Sequence, residues 1–583
     1  MSALSEAIAE LASNDRQWDA FRADGHCAVL APPGSGKTKL LTTKLADALA
    51  GDTVPRPRGA ACITMTNDAA LQLRARLRGL GVARRPNLFI GTVHAFALSR
   101  IIGPFAAAAG NEQLASSRLA SERELREAFD AAFARTEFRP DQRGEVKTTT
   151  DKARQRLDLT GNRLLGGQPI ADMAVLLQEE LAARGLFDFH DLVRFAVELV
   201  EQHEWIGRAL AASFPRIYVD EYQDLAPGLD RIVRGIALRS DLDTILFAVG
   251  DPDQAIYAFA GAHPRLLNDL AREPEVQTVT LERNYRCGQA IIDVSLRALG
   301  QTRTIHGEHD GGSVHLHTAT GGVTGQAAVA VALITGAIGH GIAPEQIAVI
   351  SPWGSDRDLC AAALRDAGVP VFARTDRDWA TTPLTMLLEA IASWTSRRAV
   401  AGIELHELVD QLRAIAPDAR EHMALRAAVA AILQTPARAP ARELVEAIAN
   451  VVLRGYIADP GAGEDARELA RMRAALAGGG KQQEMTVAGL GARARAPGHV
   501  MGATIHAAKG LEFDVVILAG ADEVGLPGFN ANDEQHAEGR RKFYVSITRA
   551  RREVHLIHTD IRISRKGNPY DPCPCPFIAE LGL

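Results

Sequence analysis

Residues 216–227 read RIYVDEYQDLAP. Three apolar residues, Ile217, Tyr218 and Val219, run straight into Asp220, Glu221 and Asp224. Carboxylates repel one another and lose solvation when buried, so three at the end of a buried strand need a reason. Either a cation meets them there, or they cap the element that follows.

A second stretch bears on that choice. AVLAPPGSGKTKLL follows one strand-like run and opens a helical one, with Leu40, Leu41, Leu45 and Leu49 on its interior face. Gly34-Ser35-Gly36-Lys37-Thr38 fits the end of a Walker A loop. Glycines there let backbone N–H groups close around phosphate oxygens, and the helix N-terminus adds a positive field. Lys37 can reach the β- and γ-phosphates, and the Thr38 hydroxyl can ligate Mg²⁺. The nucleotide-binding span is Ala31, Pro32, Pro33, Gly34, Ser35, Gly36, Lys37 and Thr38, with Ala31 where the strict pattern has Gly. In such a protein a distant apolar strand ending in acids serves the Mg²⁺ and the water. Asp220 is then the metal residue, acting through water, and Glu221 polarises the attacking water. Asp224 keeps the capping role, ordering the following turn.

These residues need sheets to hold them. CAVLAP, AACITMT, NLFIGTV, RIYVDE and TILFAVGD read as buried parallel strands, apolar on both faces. Between about 101 and 200 helical spacing replaces that rhythm. Strand-like runs return at SVHLHTA, QIAVISPW, GVPVFAR, HVMGATIHA, DVVILAG and EVHLIHT. A second helical insert occupies roughly 384–480. The layout is two α/β sheets, each interrupted by a mainly helical insertion. The segment 74–87, RARLRGLGVARRPN, is locally basic and reads equally as a solvated face or a phosphate contact.

The whole chain bounds the answer. Its 583 residues exceed one core, so roughly three or four domains of ~100–200 residues are expected. A composition 47% hydrophobic and 23% charged excludes a mostly disordered chain. The formal charge of −6 excludes a bulk polycation, so nucleic acid would be met by local basic patches. Six scattered cysteines form no disulfide framework and point to a reducing compartment. Cys573 and Cys575 are spaced too tightly for the usual zinc patterns. With no secretory leader in MSALSEAIAELASNDRQ and no apolar run read as long enough to span a membrane, a cytoplasmic protein without a membrane partner is expected.

Further motifs recur in order along the chain: NDRQWDAF, TMTNDAA (64–70), GTVHAF (91–96), VGDPDQAIYAFAGA (249–262), LERNYR (281–286), TIHAAKGLEFD (504–514) and RRKFYVSITRAR (540–551). With the Walker A loop and VDEYQD, they make the chain resemble the UvrD/Rep-like superfamily 1A DNA helicases. The resemblance implies two RecA-like parallel-sheet P-loop domains with 1A/1B/2A/2B architecture. Domain 1A would take residues 1–100 and 201–279, 1B 101–200, 2A 280–383 and 496–583, and a shortened 2B 384–495. It implies an ATP- and Mg²⁺-dependent motor moving 3′→5′ on single-stranded DNA, or on duplex with a 3′ single-stranded tail, in repair, recombination or replication. The alternative is a motor subunit beside a separate nuclease or repair protein, as in helicase–nuclease or anti-phage assemblies, with little unwinding of its own.

The same resemblance assigns roles. Gln17 would read adenine and Tyr285 stack on it, while Glu512 would hold the ribose. Gln254 would link the γ-phosphate to the DNA side. Arg286 and Arg549 would approach the γ-phosphate from the second sheet, completing a catalytic set of Glu221, Gln254, Arg286 and Arg549. Thr66, His94, Thr504 and His506 would touch the DNA backbone. Tyr257 and Phe259 would offer flat faces to unpaired bases. The chain departs from the family pattern at Ala260, where an arginine is usual, and at Gly539, where a bulkier residue is common.

Overall fold

The computed structural model describes residues 2–582 except 52, 83–86, 121, 156–166, 240, 242, 259–260, 374–377, 380–381, 398–403, 416–420, 459–462, 495–497 and 565–566. Phe259, Ala260 and part of the basic segment therefore lie outside the described residues. The chain forms two compact units, one of Met1–Pro32 with Gly36–Glu282, the other of Pro33–Ser35 with Arg283–Leu583.

The first unit is built on six parallel strands: β1 (His26–Leu30), β2 (Ala60–Thr64), β3 (Phe89–Thr92), β4 (Arg216–Val219), β5 (Ile245–Gly250) and β6 (Val276–Thr280). Their order across the sheet is β3-β2-β4-β5-β1-β6. The five apolar runs are β1 to β5. The sixth strand escaped the sequence reading because it lies at the edge. Only Val276 and Val279 of VQTVT are buried, so it lacks the two-sided apolar signature of a central strand. One core layer joins Ile63, Val93, Phe96, Ile217 and Val219 to helix residues Leu192, Ala196 and Val200. The opposite layer packs Leu40, Leu41 and Leu45 of helix Lys37–Ala50 on Val29, Cys62 and Val249. Helix Phe189–Gln202 thus belongs to the sheet's own core. A separate core of Phe129, Met173, Leu177 and Leu181 forms within 120–186.

The second unit repeats the plan with β7 (Ser313–Ala319), β8 (Ile347–Ser351), β9 (Val371–Ala373), β10 (Val500–Thr504), β11 (Phe513–Ala519) and β12 (Ala550–Thr559). All pairings are parallel, in the order β7-β12-β11-β8-β10-β9. Each corresponds to one strand-like run of the sequence. Described residues between β9 and β10 are mainly helical, with their own core around Leu384, Leu388, Ile391, Leu444 and Ile448. So the α/β layout of two parallel sheets with helical interruptions holds.

Two details correct or complete the sequence reading. Helix Gly322–Gly339 is long and apolar enough, by length and composition, to cross a membrane, contrary to the expectation that no run would be. It packs Ala327, Ala330 and Ile334 against Ile517, Ala519 and Ile557 of the sheet. Gly539 also gains a reason. A Cβ there would lie 2.4 Å from Pro527 Cβ, so only glycine lets helix Asp533–Ile547 cross that proline.

Candidate functional site

In a parallel sheet every strand ends at one edge, so the segments after β1, β4 and β5 emerge side by side. Those are the Walker A loop, the acids of DEYQD and GDPDQ. Gly34 and Gly36 take φ of 71° and 81°, the left-handed region glycine enters without strain. Ala31 is buried with its N–H donating to the Gly250 carbonyl at 2.8 Å. It needs no left-handed backbone, which is why alanine serves where the pattern has glycine. Gln17 is buried, and its Nε2 would stand 2.7 Å from a Cβ on Gly36, so the adenine-side candidate lies against the phosphate loop.

The acids at the end of β4 face the loop's lysine and threonine. Lys37 Nζ is 3.1 Å from Glu221 Oε1, and Thr38 Oγ1 donates to Asp220 Oδ2 at 3.4 Å. Burial first, then the neighbouring Glu221 charge, pushes the Asp220 carboxyl up to about 7. A divalent cation would relieve that cost, so a hydroxyl and a buried carboxylate of this kind suit Mg²⁺. Glu221 takes φ 54°, unusual for a residue with a side chain. Asp224 does not cap the next helix, which starts after Ala226. Its N–H closes the turn Tyr222–Asp224 onto the Glu221 carbonyl at 2.9 Å, the turn-ordering half of the capping reading.

Gln254 is buried and donates from Nε2 to Asp251 Oδ2 at 2.9 Å. Tyr257 follows three residues on and is half-buried. Burial, then the Asp224 and Glu221 carboxylates, raise its phenol above the ordinary range, so it stays neutral. The sequence reading missed Gln223 and Asp251, which stand between these groups. Gln223 Nε2 donates to Glu221 Oε2 at 2.5 Å, and its Oε1 accepts the Asp251 N–H at 3.0 Å.

The backbone-contact candidates share one local design. Thr66 caps the helix after β2, its Oγ1 accepting from Ala69 N at 3.2 Å. Thr504 caps the short helix after β10, accepting from Ala507 N at 3.4 Å. Thr92, which the sequence reading passed over, does the same after β3 toward Ala95 N at 3.2 Å. The signal was there: Thr92-Val-His94-Ala and Thr504-Ile-His506-Ala differ by one apolar exchange. In the first unit Thr64 and Thr92 are register partners, which brings the ends of β2 and β3 together. His94 meets Phe189 edge-on at 5.8 Å, and burial, then the adjacent His190, lower its pKa to about 4. His506 is half-buried. In the basic segment, the Arg74 guanidinium bonds the Ile90 carbonyl.

In the second unit, strand Arg283–Gly288 carries Tyr285, 36% exposed, next to Arg286. Arg286 Nε donates to Glu512 Oε2 at 2.7 Å, and its Nη1 to the Thr548 carbonyl at 3.2 Å. The other Glu512 oxygen accepts from Arg551 Nη2 at 2.6 Å. Burial opposes the Glu512 charge, but the Arg286 and Arg551 guanidiniums outweigh it and hold the carboxyl below its usual range. Glu512 therefore binds two arginines here. Arg549, only 2% exposed, donates to the carbonyls of Val545 (3.0 Å) and Leu511 (3.3 Å) and to Thr548 Oγ1 (3.3 Å). Both arginines thus converge on the Thr548 end of helix Asp533–Ile547.

Comparison with known proteins agrees with this geometry. The UvrD/REP helicase N-terminal domain model matches residues 13–275, and the UvrD-like helicase C-terminal domain model residues 493–560. The chain is 29% identical over 589 residues to the ATP-dependent DNA helicase UvrD2 of Mycobacterium tuberculosis, covering 93% of this chain and 78% of that protein. It is 25% identical over 640 residues to UvrD1 of the same organism, covering 95% and 82%. Against the ATP-dependent DNA helicase Rep of Escherichia coli it is 29% identical over 279 residues, 46% of this chain and 40% of Rep. Two matching domain models, two parallel sheets and a phosphate loop facing a strand-end acid pair place the chain in the UvrD/Rep family of helicases.

Proposed function

We propose that the protein is an ATP-driven DNA motor that moves 3′→5′ along a single strand and acts on duplexes with a 3′ single-stranded tail, in repair, recombination or replication. The observation that carries this is the meeting of Lys37 and Thr38 with Glu221 and Asp220 at one sheet edge. Lys37 binds the terminal phosphates, and Glu221 polarises the attacking water. Gln17 and Tyr285 grip the base of the nucleotide, Glu512 its ribose, and Ala31–Thr38 its phosphates. Thr38 and Asp220 would hold Mg²⁺, which when bound neutralises phosphate charge. Arg286 and Arg549 supply transition-state stabilisation, and Gln254 reports the γ-phosphate to the DNA side.

On the DNA side, Thr66, His94, Thr504 and His506 hold the phosphodiester backbone, and Tyr257 and Phe259 stack on bases. Contacts on the two RecA-like units tighten and loosen in turn through the ATP cycle. On this reading the first unit comprises 1A with 1B inserted at 101–200, and the second 2A with 2B inserted at 384–495, the helix Phe189–Gln202 at the end of 1B packing into the 1A core. Affinity is backbone-dominated and falls with salt. The test is ATP turnover with and without single-stranded oligonucleotide, together with unwinding of 3′- and 5′-tailed duplexes. Stimulation by the oligonucleotide and unwinding only of the 3′-tailed duplex support the proposal. Turnover indifferent to oligonucleotide overturns it.

A further inference from the structure

Glu221 and Gln254 lie on separate segments, yet an unbroken chain of hydrogen bonds joins them. Gln223 is fully buried between the two. Its Nε2 donates to Glu221 Oε2 at 2.5 Å, and its Oε1 accepts from Asp251 N at 3.0 Å. Asp251 in turn accepts from Gln254 Nε2 at 2.9 Å through Oδ2 and from Asp253 N at 3.1 Å through Oδ1. The partners fix which way the Gln223 amide faces: its nitrogen must meet the carboxylate and its oxygen the N–H. Room for the amide comes from Gly250, where a Cβ would lie 2.3 Å from Gln223 Oε1.

Glu221 needs such support. At φ 54° and ψ 46° its backbone is in a sparsely populated region for a residue with a side chain. One carboxylate oxygen meets Lys37, and the other meets Gln223. The first contact answers to phosphate, since Lys37 is the phosphate-loop lysine. The second answers to the segment Asp251–Tyr257. On the other side, Tyr222 is anchored by its hydroxyl donating to Asp230 Oδ1 at 2.5 Å, so the turn cannot simply drift. A shift of the Asp251 backbone would therefore be passed through a single rigid amide to the Glu221 carboxylate.

We infer that Gln223 is a positioning residue that couples the DNA-facing segment Asp251–Tyr257 to the water-orienting carboxylate of Glu221. Strand binding at Tyr257 thereby sets the rate of hydrolysis. This rests on the motor reading proposed above.

The test compares Gln223→Met, which keeps side-chain length but neither donates nor accepts strongly, with Asp251→Asn, which cuts the far end of the relay. Turnover is measured with and without oligo(dT), beside ATP affinity and thermal melting. Coupling networks of this kind change linkage by about 2- to 30-fold. The expected result is a fall of that order in the stimulation ratio for both variants, with ATP affinity retained. If both variants keep the wild-type ratio and lose only thermal stability, Gln223 is a packing residue and the inference fails. Should Gln223→Met not fold, Asp251→Asn decides by the same ratio. A wild-type protein that oligo(dT) does not stimulate defeats the motor reading itself, a result separable from an altered ratio in the variants.

Discussion

Lys37 Nζ stands 3.1 Å from Glu221 Oε1. The phosphate-loop lysine and the carboxylate proposed to orient the attacking water thus pair directly. On the proposed function, nucleotide would compete for the lysine and so free one oxygen of the glutamate. The Lys37→Ala variant loses both the phosphate contact and the pair. Turnover is expected to fall at least about 10²-fold, the scale of removing one transition-state donor. Melting temperature should change little, since Glu221 keeps its hydrogen bond from Gln223 when Lys37 is removed. Steady-state ATPase assays and thermal melts check both halves.

Glu221→Gln keeps the shape of the turn and removes the charge that takes up a proton. Turnover should drop about 10²- to 10⁴-fold, while ATP binding, read by equilibrium titration, is kept. Normal turnover would place the base elsewhere.

Arg286→Ala and Arg549→Ala should each reduce kcat by about 10³-fold or more. Their stability effects should differ. Glu512 keeps Arg551 when Arg286 is removed. Removing Arg549, only 2% exposed, empties a large buried side-chain volume and takes a donor from the Leu511 carbonyl, whereas Val545 keeps Thr548 Oγ1, and large-to-small changes at buried positions cost about 2–5 kcal/mol. Thermal melts of the two variants should separate, with only Arg549→Ala clearly lower.

Tyr257→Ala should weaken binding of single-stranded oligonucleotide by ~1–3 kcal/mol, the range for one stacked base. The slope of log affinity against log salt should stay unchanged, because a stacking ring releases no counterions. Fluorescence anisotropy at several salt concentrations reads both quantities.

His94 gives a pH prediction. Its folded pKa, about 4, lies below the ordinary histidine value. Above about pH 6.5 the ring is neutral in both folded and unfolded states and adds no pH dependence. As pH falls from there toward 4, the unfolded chain takes up the proton first, so stability drops. His94→Gln should flatten melting temperature over that window and leave it unchanged at pH 8. An unaltered acid limb would show that the ring is already solvated.

Much of this protein was written in local sequence. Eleven apolar runs became strands of two sheets, eight of them central strands with neighbours on both sides. The phosphate loop and DEYQD were legible because their chemistry needs particular residue types at fixed spacing along the chain. What local sequence could not supply was proximity between distant segments. Gly250 looks like any strand-end glycine until Gln223 is seen lodged against it. The amide relay from Glu221 to Gln254 joins residues that spacing alone does not relate. Edge strand Val276–Thr280 stayed hidden because half-exposure weakens the hydrophobic signal. Arg286 and Glu512 were named by resemblance, but their ion pair was decided by the fold. Periodicity encodes which face of a segment is buried; only the closed sheet determines what that face meets.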